Sequence, residues 1–579
     1  VRPRIDNRSL SRPAPAAALR AAIAAGYGVA DLRADLLAGA VVGIVALPLS
    51  MALAIAVGVP PQYGLATAVV AGAIIALLGG SKVQVSGPTA AFVVILAPIA
   101  ARFGPAGLLL AGAMAGVVLI GLGLARMGRL VEFVPYPVTA GFTAGIAVVI
   151  ATLQIKDLLG LTVGGELESY FERVTHLAAA LPTARAGDAA IAALTLTVLV
   201  VWPKLEHRIP APLVALVVAT AAGWLLSTVA DDLAPATIAS RFSFETAAGS
   251  FAGIPRTPPL PIAPWDLPGP DGGTLALSFG LVRHLIPAAL AIALLGAIET
   301  LLSAVVADGM TGERHDPDAE LLALGVGNLV VPFFGGIAAT GAIARTATNV
   351  RSGARSPVAA VFHSVVVLAA VVALAPALGR LPMAALAALL LIVAWNMSEA
   401  RHVLRTVRTA PRGDVMVLLA CFGLTVVFDM VVSVLTGVVL AALLFMRRMA
   451  EVSGAELVGE PGSDVGEAPP GVVVYRVAGP LFFGAAAKAM GALRTVSPGV
   501  RAVVLDLRAV PVIDATGLVN LGSAVERLRR EGVFVALGGV GPQPMRALVR
   551  AGWRNQPGEV VIRRDLGRAL TAAGAASAG

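Results

Sequence analysis

The sequence predicts an all-α polytopic membrane protein of two matched halves, followed by a small α/β domain. Three observations predict it. Hydrophobic residues make up 57% of the 579 positions and charged residues 13%, against roughly 45–50% and 25% in soluble domains, and mean hydropathy is +0.86. The apolar runs fall into two batches, about 34–229 and 277–450, parted by the Pro- and Gly-rich stretch 255–273. After Met449 the composition changes, and 471–579 alternates short β-rich runs with helical ones.

The same composition excludes other classes. A disordered chain would be charged rather than apolar. Cys421 is the single cysteine and cannot pair within the chain. Continuous rather than alternating apolar runs argue against a β-barrel. The net charge of +8 reads as the Lys and Arg of cytoplasmic loops, because no RNA-binding motif or zinc-finger spacing accompanies it. Residues 1–33 carry Arg2, Arg4, Arg8, Arg12 and Arg20 with prolines between. They read as a cytoplasmic tail, lacking the apolar core and cleavage site of a signal peptide.

A spanning helix needs about 20 apolar residues, so each batch holds six or seven segments, some too short to cross alone. With seven segments in each and the N-terminus inside, Lys82, Arg126, Arg129, Lys204, Arg208, Arg314, Arg351, Arg355, the cluster 401–412, Arg447 and Arg448 all fall on the cytoplasmic side. The opposite loop 164–172 carries Glu166, Glu168 and Glu172. This matches the positive-inside bias and places both termini in the cytoplasm. Residues 451–470 read as a linker. Beyond it the order strand–helix–strand–helix–strand marks a small soluble domain over 471–579, with Glu526, Arg527, Arg529 and Arg530 on a solvated helix face.

Three places break the apolar pattern. In QVSGPTAAF (84–92), Gly87-Pro88 cannot sit in mid-helix, and Pro88 opens the helix that follows. A helix beginning inside the bilayer leaves amide hydrogens unpaired and points its positive end at whatever lies there, so an anion is the natural occupant. In FFGGIAATGAIART (333–346), Gly335-Gly336 and Gly341 interrupt the second batch at the corresponding point. Matched interrupted segments in two halves point to an inverted-repeat transporter with its site at mid-membrane. Arg345 adds a full charge about one turn past Gly341. The third place is Glu299, whose carboxylate amid an apolar run costs roughly 2.5–3.5 kcal/mol on insertion scales. Protonated it could carry a proton; charged it could hold a cation. Ser303 lies one turn on, on the same face.

Each feature has a plainer reading. Gly and Pro occur in spanning helices for packing, Arg345 could snorkel to the membrane face, and Glu299 could be a structural partner of an Arg or of backbone amides. Asp157 and Asp429 read as structural residues near the membrane surface, and Asp308 as a cap on the Glu299 helix. His284, His315 and His363 lack metal-ligand spacing and read as structural. No nucleophile–base arrangement or paired carboxylates stand out, so no enzyme, metal or cofactor is expected.

The run 296–357, with PLSMALAIAVGVPPQYGL (48–65) and VSGPTAAF (85–92), resembles the sulfate permease (SulP) family of anion transporters, and the C-terminal domain resembles the STAS module that ends those proteins. AWNMSEA (394–400), LTVVFDMV (424–431) and LLFMRRMAE (443–451) are most similar to its bacterial C4-dicarboxylate branch. The resemblance implies fourteen segments in a 7+7 inverted repeat with half-helices as the third and tenth, a core and a gate, a homodimer, and elevator-like motion of the core. It places the anion against Ser86, Gly87, Thr89, Ala90, Thr340, Gly341, Ala342 and Arg345, with Leu49 and Leu53 of the first segment as an apolar wall. It puts the coupling acid at Glu299 with Ser303. Asp514-Ala515-Thr516-Gly517 lacks the serine that STAS relatives phosphorylate, which leaves Thr516 to shape the helix start and implies a dimerisation or regulatory module with a possible cytosolic partner.

The expectation is therefore a proton-coupled C4-dicarboxylate transporter of a bacterial inner membrane. A sulfate or bicarbonate transporter coupled to protons or sodium, an uncoupled anion channel, and a membrane-anchored STAS signalling protein are the alternatives.

Overall fold

The computed structural model describes the chain except residues 1–14, 130–133, 165–169, 207–208, 247–248, 270–271, 274, 276, 429, 453, 459–467, 492–498, 557–558 and 579. Arg2, Arg4, Arg8, Arg12, Glu166, Glu168, Arg208, Asp429 and much of the expected linker therefore lie outside the described residues. The chain divides into two compact units, Val1–Val438 and Val439–Gly579.

A short helix α1 (Ala17–Ala24) opens the first unit. The first repeat runs through α2 (Val29–Val57), then α3 (Pro61–Ala66) and α4 (Gly72–Leu78) joined by one π turn, then strand β1 (Ser86–Gly87). It continues with α5 (Ala90–Leu124), α6 (Tyr136–Leu158), the amphipathic α7 (Tyr170–Ala180), α8 (Ala186–Leu205) and α9 (Ala211–Val229). A connector with α10 (Ile238–Arg241) and the hairpin β2 (Ser243–Thr246) and β3 (Gly249–Ala252) separates the halves. The second repeat is α11 (Phe279–Thr311), α12 (Pro317–Val330), β4 (Thr340–Gly341), α13 (Ile343–Arg351), α14 (Val358–Gly379), α15 (Met383–Ser398), α16 (Ala400–Thr409), α17 (Arg412–Val427) and α18 (Met430–Val452).

Among the described residues, 11 helical stretches are long and apolar enough to cross a membrane. The fourteen segments follow from three further features. Gly104, at φ 67 and ψ −179, breaks α5 into a half-helix and a full span. The nine-residue half-helix α13 and the 16-residue α17 are segments too short to count among those 11. Each repeat then has seven, and the second segments match in length, Pro61–Leu78 against Pro317–Phe334.

Within this unit α2, α4, α5, α11, α12, α13 and α14 pack together, and α6, α8, α9, α15 and α17 form a second bundle. The bundles are dense because small residues let backbones approach. A Cβ at Gly39 would overlap the Ala359 carbonyl of α14, and one at Gly141 would overlap the Leu418 carbonyl of α17.

The second unit carries a five-stranded sheet: β5 (Gly454–Val458), β6 (Val472–Ala478), β7 (Ala502–Ala509), β8 (Phe534–Gly538) and β9 (Val560–Ile562), in that spatial order. β5 is antiparallel to β6 and the rest are parallel. Strand residues alternate between two cores. Val503, Leu505 and Leu507 meet α19 (Phe483–Gly491), α20 (Ala515–Arg530) and α21 (Pro542–Arg550), while Ala502 and Val504 meet α22 (Leu566–Ala578). β5 lies inside the stretch expected as linker, and its exposed Glu456 and Leu457 hide its strand character from composition. The start of α20 is set by Asp514, whose Oδ1 accepts from the Gly517 amide at 2.6 Å. The capping role expected of Thr516 falls two residues earlier, because the side chain that reaches back to the free amides sits at the N-cap.

Candidate functional site

The two interrupted segments meet. β1 and β4 pair antiparallel, Ser86 opposite Gly341 and Gly87 opposite Thr340. The Ala342 amide donates to the Val85 carbonyl at 2.9 Å. Two-residue strands form here because Gly-Pro and Gly-Gly prevent the helices from continuing, and backbone groups inside a bilayer must still be paired. Glycine is needed at the crossing. A Cβ at Gly87 would stand 2.7 Å from Arg345 Nη1, and one at Gly341 would overlap the Gln84 amide and lie 3.0 Å from Thr300 Cα.

Side chains of α11 and α13 lock the crossing. Thr300 Oγ1 accepts from the Gly341 amide at 2.9 Å and lies 2.8 Å from Thr340 Oγ1, which donates to the Gly296 carbonyl. Thr346 Oγ1 accepts from the Val85 amide at 3.0 Å and from Ser303 Oγ at 3.2 Å. Asn349 Nδ2 donates to the Val83 carbonyl at 2.9 Å. Thr89 Oγ1 donates to Glu299 Oε2 at 2.9 Å. Glu299 thus touches the half-helix of the first repeat while Ser303, one turn on, touches that of the second.

Both half-helices start at this point without a capping side chain. The N-cap of α5 is Thr89 and that of α13 is Ala342, and neither accepts a bond from its own first turn. Thr89 turns its hydroxyl to Glu299 instead, and Ala342 has none. First-turn amides free of a cap, at the positive ends of two helix dipoles, favour negative charge in their vicinity. Among the described residues, Gln84 Oε1 and Nε2, Ser86 Oγ, Asn349 Oδ1, and Arg345 Nε and Nη1 are also buried without a protein partner. Buried polar atoms are ordinarily satisfied, so several without a protein partner beside one crossing set this place apart.

Ser86, Gly87, Thr340 and Gly341 form the strand pairing, Thr89 and Ala342 are the N-caps, and Ala90 opens α5. Two expectations change. The Gly341 amide, expected to face an anion, is taken by Thr300. Arg345 neither snorkels nor stands in an open gap: it is 3% exposed and Nη2 donates to the Pro88 carbonyl. Its charge therefore acts across the crossing, joining the two half-helices. Leu53 is buried and Leu49 half-buried on α2, which packs on both α5 and α13. Thr300, Thr346 and Asn349 bond across the crossing, and Gln84 leaves an unpaired amide beside it, none of which the sequence reading singled out.

Asp308, Asp157 and Glu320 have partners in the surrounding structure. Asp308 does not cap α11; its Oδ2 accepts from the His315 amide and lies 2.8 Å from His315 Nδ1, pinning the next loop. Asp157 pairs with Arg241. Glu320 accepts from the Gly80 and Ser81 amides at 2.7 and 3.0 Å, holding the chain that leads into β1. No cluster of three or more His, Cys, Asp or Glu among the described residues is placed to hold a metal ion.

Fourteen segments in two repeats, with broken helices meeting at the β1–β4 pairing, define the class of the chain: a multi-pass membrane protein built like a transporter. Residues 32–421 match the sulfate permease family and residues 466–566 the STAS domain, and the chain belongs to that family. It is 40% identical over 528 residues to "Putative sulfate transporter YvdB" of Bacillus subtilis, covering 91% of this chain and 95% of that one. It is 28% identical over 519 residues to the bicarbonate transporter BicA of Picosynechococcus, with 86% of each covered. The transmembrane domain of a cyanobacterial BicA superposes with TM-score 0.59 at 25% identity, covering 71% of this chain and 97% of that one. Murine Slc26a9, described as an anion transporter in the inward-facing state, superposes with TM-score 0.81 at 18% identity over 97% and 94% of the two chains, a likeness of fold.

Proposed function

We propose that the chain is a secondary active transporter of small oxyanions, coupled to protons through Glu299, in which the α2–α5 and α11–α14 bundle moves against the other. The observation that carries this is the meeting of two uncapped half-helix N-termini at the β1–β4 pairing. Their positive ends attract an anion. The Thr89–Glu299 bond sets the acid one contact from those amides. A proton on Glu299 removes a negative charge beside the site and strengthens its hold on an anion, so the two bind together and travel in the same direction.

The names of the relatives favour sulfate or bicarbonate as substrate. None of the relatives named above carries a C4-dicarboxylate in its name, and that reading rests on the three segments 394–400, 424–431 and 443–451 alone. A homodimer in a bacterial inner membrane, with both termini cytoplasmic and the STAS domain regulatory, completes the proposal.

The experiment is a thermal-shift screen of the purified full chain with sulfate, bicarbonate, succinate and fumarate, followed by counterflow in proteoliposomes with the most stabilising anion. Stabilisation by an oxyanion with saturable counterflow is expected. Flux without accumulation would mark a channel, and no response to any anion would refute the site.

A further inference from the structure

The stretch between α15 and α17 is built differently from the other connections. Glu399, at φ 43, is left-handed and ends α15. The next helix, α16, reads ARHVLRTVRT and contains no acidic residue and no fully buried residue. Its position between two consecutive spans puts it at a membrane face. At 3.6 residues per turn, Arg401, Arg405 and Arg408 fall within about 60° of one another on the helix surface. All three are exposed, as is Arg412 at the start of α17, and none has an ion pair among the described residues. The opposite face carries Val403 and Val407, both half-buried. The ring of His402 meets that of Tyr136, at the start of α6, edge-on at 5.5 Å. Glu399 and Asp414 are the nearest acids in sequence, and both lie outside the helix.

We propose that this arginine stripe binds the phosphodiester groups of anionic phospholipids in the adjoining leaflet. Guanidinium groups match phosphate oxygens in a bidentate way. A basic amphipathic helix tied to a membrane face meets headgroups by its position alone. Through α15 and the Tyr136 contact, α16 belongs to the bundle of α6, α8, α9, α15 and α17. Bound lipid would therefore anchor that bundle to the bilayer. This role rests on the proposed motion of one bundle against the other, whereas the binding itself does not.

The test is binding, not transport. The purified full chain in neutral detergent is titrated with phosphatidylglycerol, phosphatidylcholine or inorganic phosphate, with bound lipid counted by native mass spectrometry. Each basic residue at an anionic surface contributes about fivefold. The triple variant R401Q/R405Q/R408Q is expected to lose at least tenfold in apparent affinity for phosphatidylglycerol, with binding of phosphatidylcholine unchanged. In the unmutated chain the preference for phosphatidylglycerol should shrink as salt rises, a result independent of how the variant folds. Equal affinity of variant and wild type for phosphatidylglycerol, a salt-independent preference, or displacement of the lipid by inorganic phosphate at matched concentration would overturn the proposal.

Discussion

Replacing Glu299 by Gln isolates coupling from binding. Glu299 Oε2 accepts the Thr89 hydroxyl at 2.9 Å, and the carbonyl oxygen of Gln can accept the same bond. The substitution thus removes the titratable group and leaves a neutral contact of similar shape. Losing a charge-assisted bond for a neutral one costs about 1 kcal/mol, so anion affinity should shift by less than about tenfold. The coupling loss is larger in kind. With one proton per cycle, a gradient of one pH unit supplies about 1.4 kcal/mol, a factor of about ten in accumulation; with none it supplies nothing. In proteoliposomes held about one pH unit more acidic outside, with the potential clamped by potassium and valinomycin, the wild type should accumulate substrate about tenfold. Glu299→Gln should only equilibrate, yet still perform counterflow. Undiminished pH-driven accumulation by the variant refutes the assignment. Loss of counterflow together with accumulation would assign Glu299 a structural role instead.

Three further outcomes follow from the geometry. Thr300→Val removes the partner of both the Gly341 amide and Thr340 Oγ1, so the unfolding midpoint should fall by the equivalent of about 1–3 kcal/mol, measured by scanning fluorimetry. Arg345→Ala should weaken anion affinity at least tenfold in thermal-shift titrations, with Arg345→Lys partly restoring it; unchanged affinity in both would remove Arg345 from the site. In the second unit, burial pushes the Asp506 carboxyl up, but hydrogen bonds and charge from Arg508, with Arg476 behind it, outweigh burial and hold it below the usual carboxylate range. A lowered folded value adds stability above the unfolded value near ~3.9 and loses it as pH falls through the folded one. Asp506→Asn should therefore cost roughly 1–3 kcal/mol at neutral pH, less than a fully buried pair because Arg508 is half-exposed. The difference from wild type should shrink as pH falls below ~3.9 in acid-unfolding curves.

The breaks at Gly87-Pro88 and Gly335-Gly336 are legible because proline and glycine act on the backbone locally, wherever the chain goes next. What each break meets is not local. Nothing in Ser86 names Gly341, and only the closed bundle reveals the pairing. The threonines that lock the crossing are hidden for another reason. Thr143, Thr152, Thr195 and Thr220 also sit in spanning helices, and each bonds back to a carbonyl four residues earlier, the ordinary use of a hydroxyl in a helix. Thr300 and Thr346 look the same in one dimension and differ only in facing β4 and Val85. In the second unit β6, β7 and β8 are legible as apolar runs, whereas β9 is only three residues long and goes unread, and edge strand β5 is half-exposed and reads as linker.

The two repeats share an order of segments but not a charge. Counted from the first residue of each helix, Glu299 in α11 and Leu49 in α2 occupy the same position. The proposed anion site thus draws on both repeats through the β1–β4 pairing, whereas the proposed coupling acid belongs to the second alone. Among the described residues, Glu299 is the one carboxylate hydrogen-bonded to a residue that opens a half-helix. On the proposed function, one such acid per chain would carry one proton per cycle. A monovalent anion such as bicarbonate then moves electroneutrally, and its accumulation should ignore the membrane potential. A dianion such as sulfate carries one net negative charge, opposed inside a negative compartment by about 2.3 kcal/mol per 100 mV, or about fiftyfold in accumulation. Setting the potential with potassium and valinomycin at a fixed pH gradient separates the cases. If sulfate accumulated equally at zero potential and about 100 mV negative inside, a second proton would have to travel with it, and the single-acid argument would fail.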